Sequence, residues 1–409
     1  MTRLHPRIVN AGGSDCFLSD CRSPRFILGT SNVLEQKKIM SAPPLQVLMT
    51  ATSYPRDATD WRGLFIKHQV DSLVANPAIN LSLWAPPGEI SNQATYVATP
   101  QEAAWLNELM EQGGIAHLLR KGGLSRFTAP IKLLSMLKQV YKRHKLMQIF
   151  HVNWLQNALP LAGTKQPALV TVLGSDLALL KLPAMTNLLR HIFKSRPCIL
   201  APNAKWMTAE LERRFGNVAS IVPIPFGIDA AWYQLKRDWH HPKKWLVVSR
   251  LTQKKIGPLF DWGKQIFQKE HELHLFGPMQ EQLNIPEWVH YHGATYPKDL
   301  QENWFPQAAG LITLSQHDEG RPQVMLEAMA AGLPILASQL PAHADFITHQ
   351  QTGWLTDSQE NFMAGIQWLA NSQNNELIAT QARNWVKKEM GTWNDCAQRY
   401  INAYHSLLE

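Results

Sequence analysis

Cysteine is scarce in this chain: four in 409 residues, at Cys16, Cys21, Cys198 and Cys396. No two of them have a metal-ligand spacing, which argues against a disulfide-stapled secreted domain and against a zinc module, and makes a reducing cytoplasm the expected setting. Long hydrophobic runs are also lacking. None approaches the length that spans a bilayer, and the first residues show no apolar segment followed by a cleavage site, so a cytoplasmic location is expected. Charged residues are sparse, at 18%, and unbalanced, giving a net charge of +8. That excess favours anionic partners: nucleotide diphosphates, acidic glycans or a membrane surface. No recognised nucleic-acid motif accompanies it, so no nucleic-acid partner is expected. No internal sequence repeat is visible either.

What the chain does have is length enough for two ordinary domains, an apolar share typical of a soluble globular protein, and fifteen Trp,. Residues 1–40 show no hydrophobic period and are expected to be a disordered extension. From 41 to 225, short apolar runs alternate with helical patterns, as at Leu45–Thr50, 80–84, 146–151 and 168–173. Residues 226–242 read as a linker. From 243 to 381 the alternation restarts, with strands expected at 245–250, 272–276 and 289–291 and a helix at 258–268. A final helix over 382–409 is expected to return toward the first half. Such alternation means α/β architecture with two parallel sheets.

The densest chemistry lies between Thr313 and Ser338. Leu311 to Leu314 fits a buried strand, Pro322 a helix start, Gly332 and Pro334 a helix end, and 334–337 the next strand. Ligands of such units bind beyond the strand's carboxyl end, against the helix N-terminus, where free N–H groups suit an anion. Glu319 in the loop and Glu327 in the helix can accept hydrogen bonds from hydroxyls, and the combination suits a nucleotide sugar. In the first half, the loop after the opening strand, Ser53 to Phe65, is turn-rich, and Gly63 would let backbone come close to a phosphate. A helix over 130–145 places Ile131, Leu134, Leu137, Val140 and Tyr141 on one side. Lys132, Lys138, Lys142, Arg143 and Lys145 occupy the other, so peripheral contact with an anionic membrane joins the expected partners, beside the plainer role of a surface helix packed on the sheet.

Together these segments resemble the nucleotide-sugar glycosyltransferases of the GT-B fold, specifically the family-4 retaining type, from about Leu45 onward. The strongest element is Glu319 to Glu327, a Glu-x7-Glu pattern. Ser249-Arg250-Leu251 with Lys255 and Gly257 is similar to the family's Gly-Arg-Leu…Lys-Gly, and Pro225-Phe-Gly227-Ile-Asp229 to its Pro-Asn-Gly-Val-Asp turn. Thr171 to Asp176 resembles Thr-Val-His-Gly-Ser-Asp, and His151 to Trp154 resembles His-x-His-Trp. The resemblance implies two Rossmann-like domains facing across a cleft. Transfer of a sugar (hexosyltransferase type, with retention) to a glycan or glycolipid hydroxyl would follow, in cell-surface polysaccharide or glycolipid synthesis at the inner face of the membrane. It implies no metal and no cofactor beyond a nucleotide diphosphate sugar as co-substrate.

By that resemblance Arg250 and Lys255 hold the diphosphate and, with Glu319, form the catalytic set. Glu327 binds the ribose, while Gly320, Arg321, Gly63 and Gly277 complete the donor site. His151, Asn153 and Asp176 lie on the acceptor side. Two departures stand out: Leu173 and Asn153 occupy positions where the family has His. The donor half looks intact and the acceptor half edited, which leaves a nucleotide-sugar epimerase or a non-catalytic binding homologue as rival readings.

Overall fold

The computed structural model of the chain describes residues 43–57, 60–115, 125–237, 243–317 and 320–409. The expected extension, residues 1–40, lies outside them.

Among the described residues, thirteen strands form two sheets, and every pairing is parallel. The first sheet comprises β1 (Leu45–Thr50), β2 (Ile79–Trp84), β3 (Thr95–Tyr96), β4 (Ile149–Asn153), β5 (Ala168–Val172), β6 (Cys198–Pro202) and β7 (Ser220–Ile221), in the order β3-β2-β1-β4-β5-β6-β7. The second comprises β8 (Lys244–Val248), β9 (Glu272–Phe276), β10 (Val289–Gly293), β11 (Ala308–Thr313), β12 (Ile335–Ser338) and β13 (Trp354–Thr356), in the order β10-β9-β8-β11-β12-β13. Central strands covered on both faces must be apolar throughout, and β5, Ala-Leu-Val-Thr-Val, is buried at all five positions,. The expected strands thus appear, shifted by up to three residues at their ends.

Each sheet reverses its winding once, between β1 and β4 and between β8 and β11. Crevices open at such switch points, outside the carboxyl ends of the strands. The loops after β1, β4, β8 and β11 are therefore the ones to follow.

The helices around the sheets include α1 (Leu64–Val74), α2 (Pro100–Glu111), α3 (Ser125–Arg143), α4 (Gln323–Ala330), α5 (Ser372–Glu389) and α6 (Trp393–Ser406). The helix expected over 130–145 is α3, which begins earlier and carries Pro130 inside it. Proline there omits a single bond, to the carbonyl of residue 126, and the helix continues through it. The buried face is Leu133, Leu137, Val140 and Tyr141, whereas Ile131 is 69% exposed, a correction to its expected packing. Helical spacing alone leaves open whether position 131 or 133 lies nearer the core.

The single return helix expected over 382–409 is instead two helices, α5 and α6. Gly391, at φ +66°, ends the first, and Thr392 and Asp395 form a reciprocal capping box that starts the second,. α6 packs on α1, burying Cys396, Tyr400, Ile401 and Tyr404 in the core that holds Val47, Met49, Ile66 and Val70. Burying side chains of that size contributes about 1.5–3 kcal/mol each, so the C-terminal residues are integral to the first sheet's core. Among the described residues, no helix is long and apolar enough to cross a membrane.

Candidate functional site

After β8 the chain turns sharply through Ser249 and Arg250 into a short helix, Gln253–Ile256, which Thr252 caps by accepting a hydrogen bond from the Lys255 N–H. Gly257 follows at φ +56°, and a Cβ there would lie 2.1 Å from the carbonyl oxygen of Leu314. Only glycine lets this loop seat against the one after β11. The Gln316 N–H donates to the Lys254 carbonyl at 2.7 Å, and the Ser338 hydroxyl to the Ser315 carbonyl at 2.6 Å. Arg250 and Lys255 therefore stand on the β8 loop beside the β11 loop, at the switch point.

Gly277 ends β9 at φ +132°, and a Cβ on it would meet the Ser249 carbonyl oxygen at 1.7 Å. Its N–H donates to the Gly293 carbonyl at 2.7 Å. Gly277 thus packs the turn that carries Arg250.

α4 begins after Pro322 and ends in a Schellman arrangement, with Leu333 N–H donating to the Ala328 carbonyl and Gly332 N–H to that of Met329,. Glu327 lies in this helix among buried Met325, Leu326, Ala328 and Met329. Burial pushes its carboxyl up to about 7, and the charge of Asp229 adds to the shift. A carboxyl poised there can accept from, or donate to, a ribose hydroxyl.

Glu319 lies outside the described residues. Gly320 is described and approaches the first half closely: a Cβ on it would lie 2.8 Å from Gly174 N and 3.0 Å from Asn203 Oδ1. Trp206 Nε1 donates to the Gly320 carbonyl at 2.7 Å, and the Trp206 backbone N–H donates to Asp345 Oδ1 at 2.9 Å. Asn203 Oδ1 is buried without a hydrogen-bond partner among the described residues, an acceptor suited to a ligand hydroxyl or a water.

Arg321 does not present its guanidinium to a donor. It is buried, paired with Asp345, and donates to the Met390 sulfur at 3.3 Å. Desolvation lowers its pKa while Asp345 opposes that effect, as expected for an inward-turned ion pair,. What Arg321 offers a ligand is backbone only.

From the first half, the loop after β1 brings Trp61, 45% exposed, beneath the guanidinium of Arg250, 5.4 Å from ring centroid to Cζ,. Gly63, at φ +70°, starts α1, and a Cβ there would strike the Ser53–Tyr54 backbone at 2.6–2.7 Å. The loop folds tightly upon itself and leaves the N-terminus of α1 beside Arg250's partner Trp61.

The acceptor-side trio is placed differently from the expectation. His151 is fully buried, with Nδ1 2.6 Å from the Tyr404 hydroxyl, Nε2 2.8 Å from the Thr171 hydroxyl, and the Tyr400 ring tilted against its own at 5.0 Å. Burial pushes it down to about 3, so it is neutral and part of the α6 contact. Asn153 is 1% exposed and donates to the Thr50 carbonyl at 3.3 Å. Asp176 accepts from the Leu173 and Leu155 N–H groups, tying the turns after β5 and β4 together, and burial pushes it up to about 7. All three are buried and bonded to the surrounding backbone or side chains, and Asn153 Oδ1 has no hydrogen-bond partner among the described residues. Among the described residues that meet the second half from this side are Trp61, Gly174, Asn203 and Trp206, to which the sequence alone assigns no role. Applying the strand-end rule to β6 as well would have flagged Asn203 and Trp206.

Comparison with known proteins fits this geometry. Residues 242–372 match the family described as Glycosyl transferases group 1. The amylovoran biosynthesis glycosyltransferase AmsK of Erwinia amylovora is 29% identical over 148 residues, 32% of this chain and 36% of the relative. The chain spans about a third of the length of the curated relatives it matches. Among solved structures, sucrose-phosphate synthase of Thermosynechococcus elongatus superimposes with a TM-score of 0.66 at 16% identity, over 89% of this chain and 99% of that one. HepE of Anabaena in complex with UDP-glucose superimposes with a TM-score of 0.59 at 15% identity, over 88% and 99%. The fold is GT-B, and within its second half residues 242–372 are similar to the family described as Glycosyl transferases group 1.

Proposed function

We propose that this chain is a retaining glycosyltransferase that moves a sugar from a nucleotide diphosphate sugar to a hydroxyl of a glycan or glycolipid. One observation carries the reading: Arg250 and Lys255 lie on the loop at the switch point of the sheet that bears the matched domain, Glu327 lies in the helix after the facing strand, and Arg250 meets Trp61 from the other half. The names of the similar proteins, one of polysaccharide synthesis and one bound to UDP-glucose, support the same substrate classes.

The chemistry follows from the charge that must be stabilised. As the bond between the anomeric carbon and the diphosphate breaks, negative charge grows on the departing phosphate. Arg250 holds it through a planar fork and Lys255 through a mobile ammonium, in surroundings fixed before the reaction begins. Backbone N–H groups at Gly320 and Arg321 add further donors. Glu327 takes the ribose hydroxyls and Glu319 the sugar hydroxyls. The acceptor hydroxyl enters on the face the diphosphate leaves, and the leaving phosphate receives its proton, which retains the anomeric configuration without a covalent sugar–enzyme intermediate. Peripheral contact with an anionic membrane through α3 would bring a lipid-linked acceptor to the site.

The test is a thermal-shift panel of nucleotides and nucleotide sugars followed by transfer assays. A selected donor at a hundredfold excess over its dissociation constant stabilises the protein by about 2.7 kcal/mol. Arg250→Ala should abolish that stabilisation, and Glu319→Gln should retain most binding while losing transfer. No stabilisation by any nucleotide would overturn the reading; binding without turnover on any acceptor would favour a non-catalytic binding protein.

A further inference from the structure

β10 is the edge strand of the second sheet, and its outward residues are unusual. Alternation along a strand puts Glu272 and His274 of β9 on one face, and His290 and His292 of β10 beside them. The register pairs His290 directly with His274. Their rings stack at 4.8 Å, those of His274 and His292 at 5.2 Å, and Trp304 lies against His274 and His292 at 5.0 and 4.6 Å. A ligating atom from each of Glu272, His274 and His290 lies within 4.8 Å of the others. His274 is 6% exposed, while His290 is exposed and Glu272 partly so.

We propose that Glu272, His274 and His290 form a binding site for a borderline divalent transition cation such as Zn2+, which clips edge strand β10 to β9. The donor set, two imidazoles and a carboxylate with a fourth position left to water, matches what Zn2+ takes in open tetrahedral sites. Ligand atoms around such an ion stand roughly 3.3 Å apart, given metal–ligand bonds of about 2.0–2.1 Å. The exposed His290 side chain can close the remaining gap by rotating.

His292 supplies what a ligand set of this kind needs behind it. His274 Nδ1 lies 3.0 Å from His292 Nε2, and His274 Nε2 lies 3.0 Å from Glu272 Oε2. Without metal, His274 donates from Nε2 to the carboxylate and accepts at Nδ1 from His292. With metal, both rings change tautomer: His274 donates from Nδ1 to His292 Nε2, and its Nε2 lone pair faces the cation. No net proton is released, and His292 becomes the partner that orients the ligating ring. The Lys244 ammonium is nearby, bonded to Gln307 at 2.8 Å and placed over Trp304 at 5.7 Å. Glu272, as a ligand, must therefore exchange any attraction to it for the cation.

The experiment is titration calorimetry of the full chain with Zn2+ in chelator-treated buffer, beside His290→Asn and Glu272→Gln, which alter solvent-reaching side chains. We expect one equivalent bound at micromolar concentration, a loss of affinity of at least tenfold in each variant, and slowed amide exchange along β10 in the wild type alone. Co2+ in place of Zn2+ should give the visible absorption of a tetrahedral nitrogen–oxygen site. Absence of saturable binding, or binding that neither variant weakens, would overturn the proposal and leave the cluster as an aromatic stack on Trp304.

Discussion

Replacing Glu327 by Gln should stabilise the protein in alkali while weakening its hold on a nucleotide, two effects of opposite sign from one atom change. The folded protein raises this carboxyl from an ordinary 4.5 to about 7, by burial first and by Asp229 second. A raised carboxyl favours the protonated form, so its contribution to stability is fully present below the unfolded value. That contribution is lost as pH rises through about 7. At about 1.36 kcal/mol per pH unit, the interval corresponds to roughly 3 kcal/mol. The side chain keeps some access to solvent, which makes that figure a ceiling. Gln has the same shape and never ionises. At about 2–4 °C per kcal/mol for a domain of this size, the variant should melt up to roughly 6–12 °C above wild type near pH 9, with almost no gain below about pH 4. A carboxylate accepting from ribose hydroxyls contributes about 1.5–3 kcal/mol, so nucleotide affinity should fall about tenfold to a hundredfold. Melting curves across pH, with calorimetric titration of the nucleotide selected by the donor panel, measure both. If the two pH–melting profiles superimpose, the burial argument is wrong; if affinity is unchanged, Glu327 does not bind ribose.

Three further outcomes are expected. Gly227→Ala would place a Cβ 2.3 Å from the Thr392 carbonyl oxygen and 2.4 Å from Trp393 Cα, backbone that cannot rotate aside, so urea unfolding should show a loss of about 1–3 kcal/mol or more,. His151, held neutral with its pKa near 3, lets the unfolded chain bind a proton that the folded one refuses. Stability should therefore fall as pH drops below about 6.5, and His151→Phe should flatten that slope in urea melts while lowering stability at neutral pH through the lost Tyr404 and Thr171 bonds,. Changing Lys132, Lys138, Lys142 and Lys145 together to Glu should abolish sedimentation with anionic vesicles, at about 1 kcal/mol per basic residue near the surface; unchanged sedimentation would end the membrane assignment.

The parts of the fold that the sequence makes legible are those set by local pattern. β9 stands at 272–276 as expected because an apolar alternation ending in Gly277 has one good reading, and α4 follows Pro322 and stops at Gly332 for stated steric reasons. That Arg250 and Lys255 follow a strand end, and that Glu327 lies in the helix after Pro322, is legible because strand ends and helix starts are local features. The surroundings of His151, Asn153 and Asp176 were not legible, because long-range contacts set them. His151 is buried by Tyr404, 253 positions later, and no periodicity reports that α6 covers it. Arg321 is likewise turned inward by Asp345, across 24 positions. The Glu272–His274–His290 cluster needs the β9–β10 register before its side chains become neighbours at all.

The chain passes between its two sheets twice, and the passages lie side by side. Ile228 bridges to Thr392, and Arg399 donates to the carbonyls of both Pro225, at 3.1 Å, and Met390, at 2.7 Å. Two adjacent crossings would restrain twisting and sliding of the halves more than a swing about their common line. Any such displacement would grow with distance from that line, so a substrate gripped at the far side would act as a latch on the longest lever.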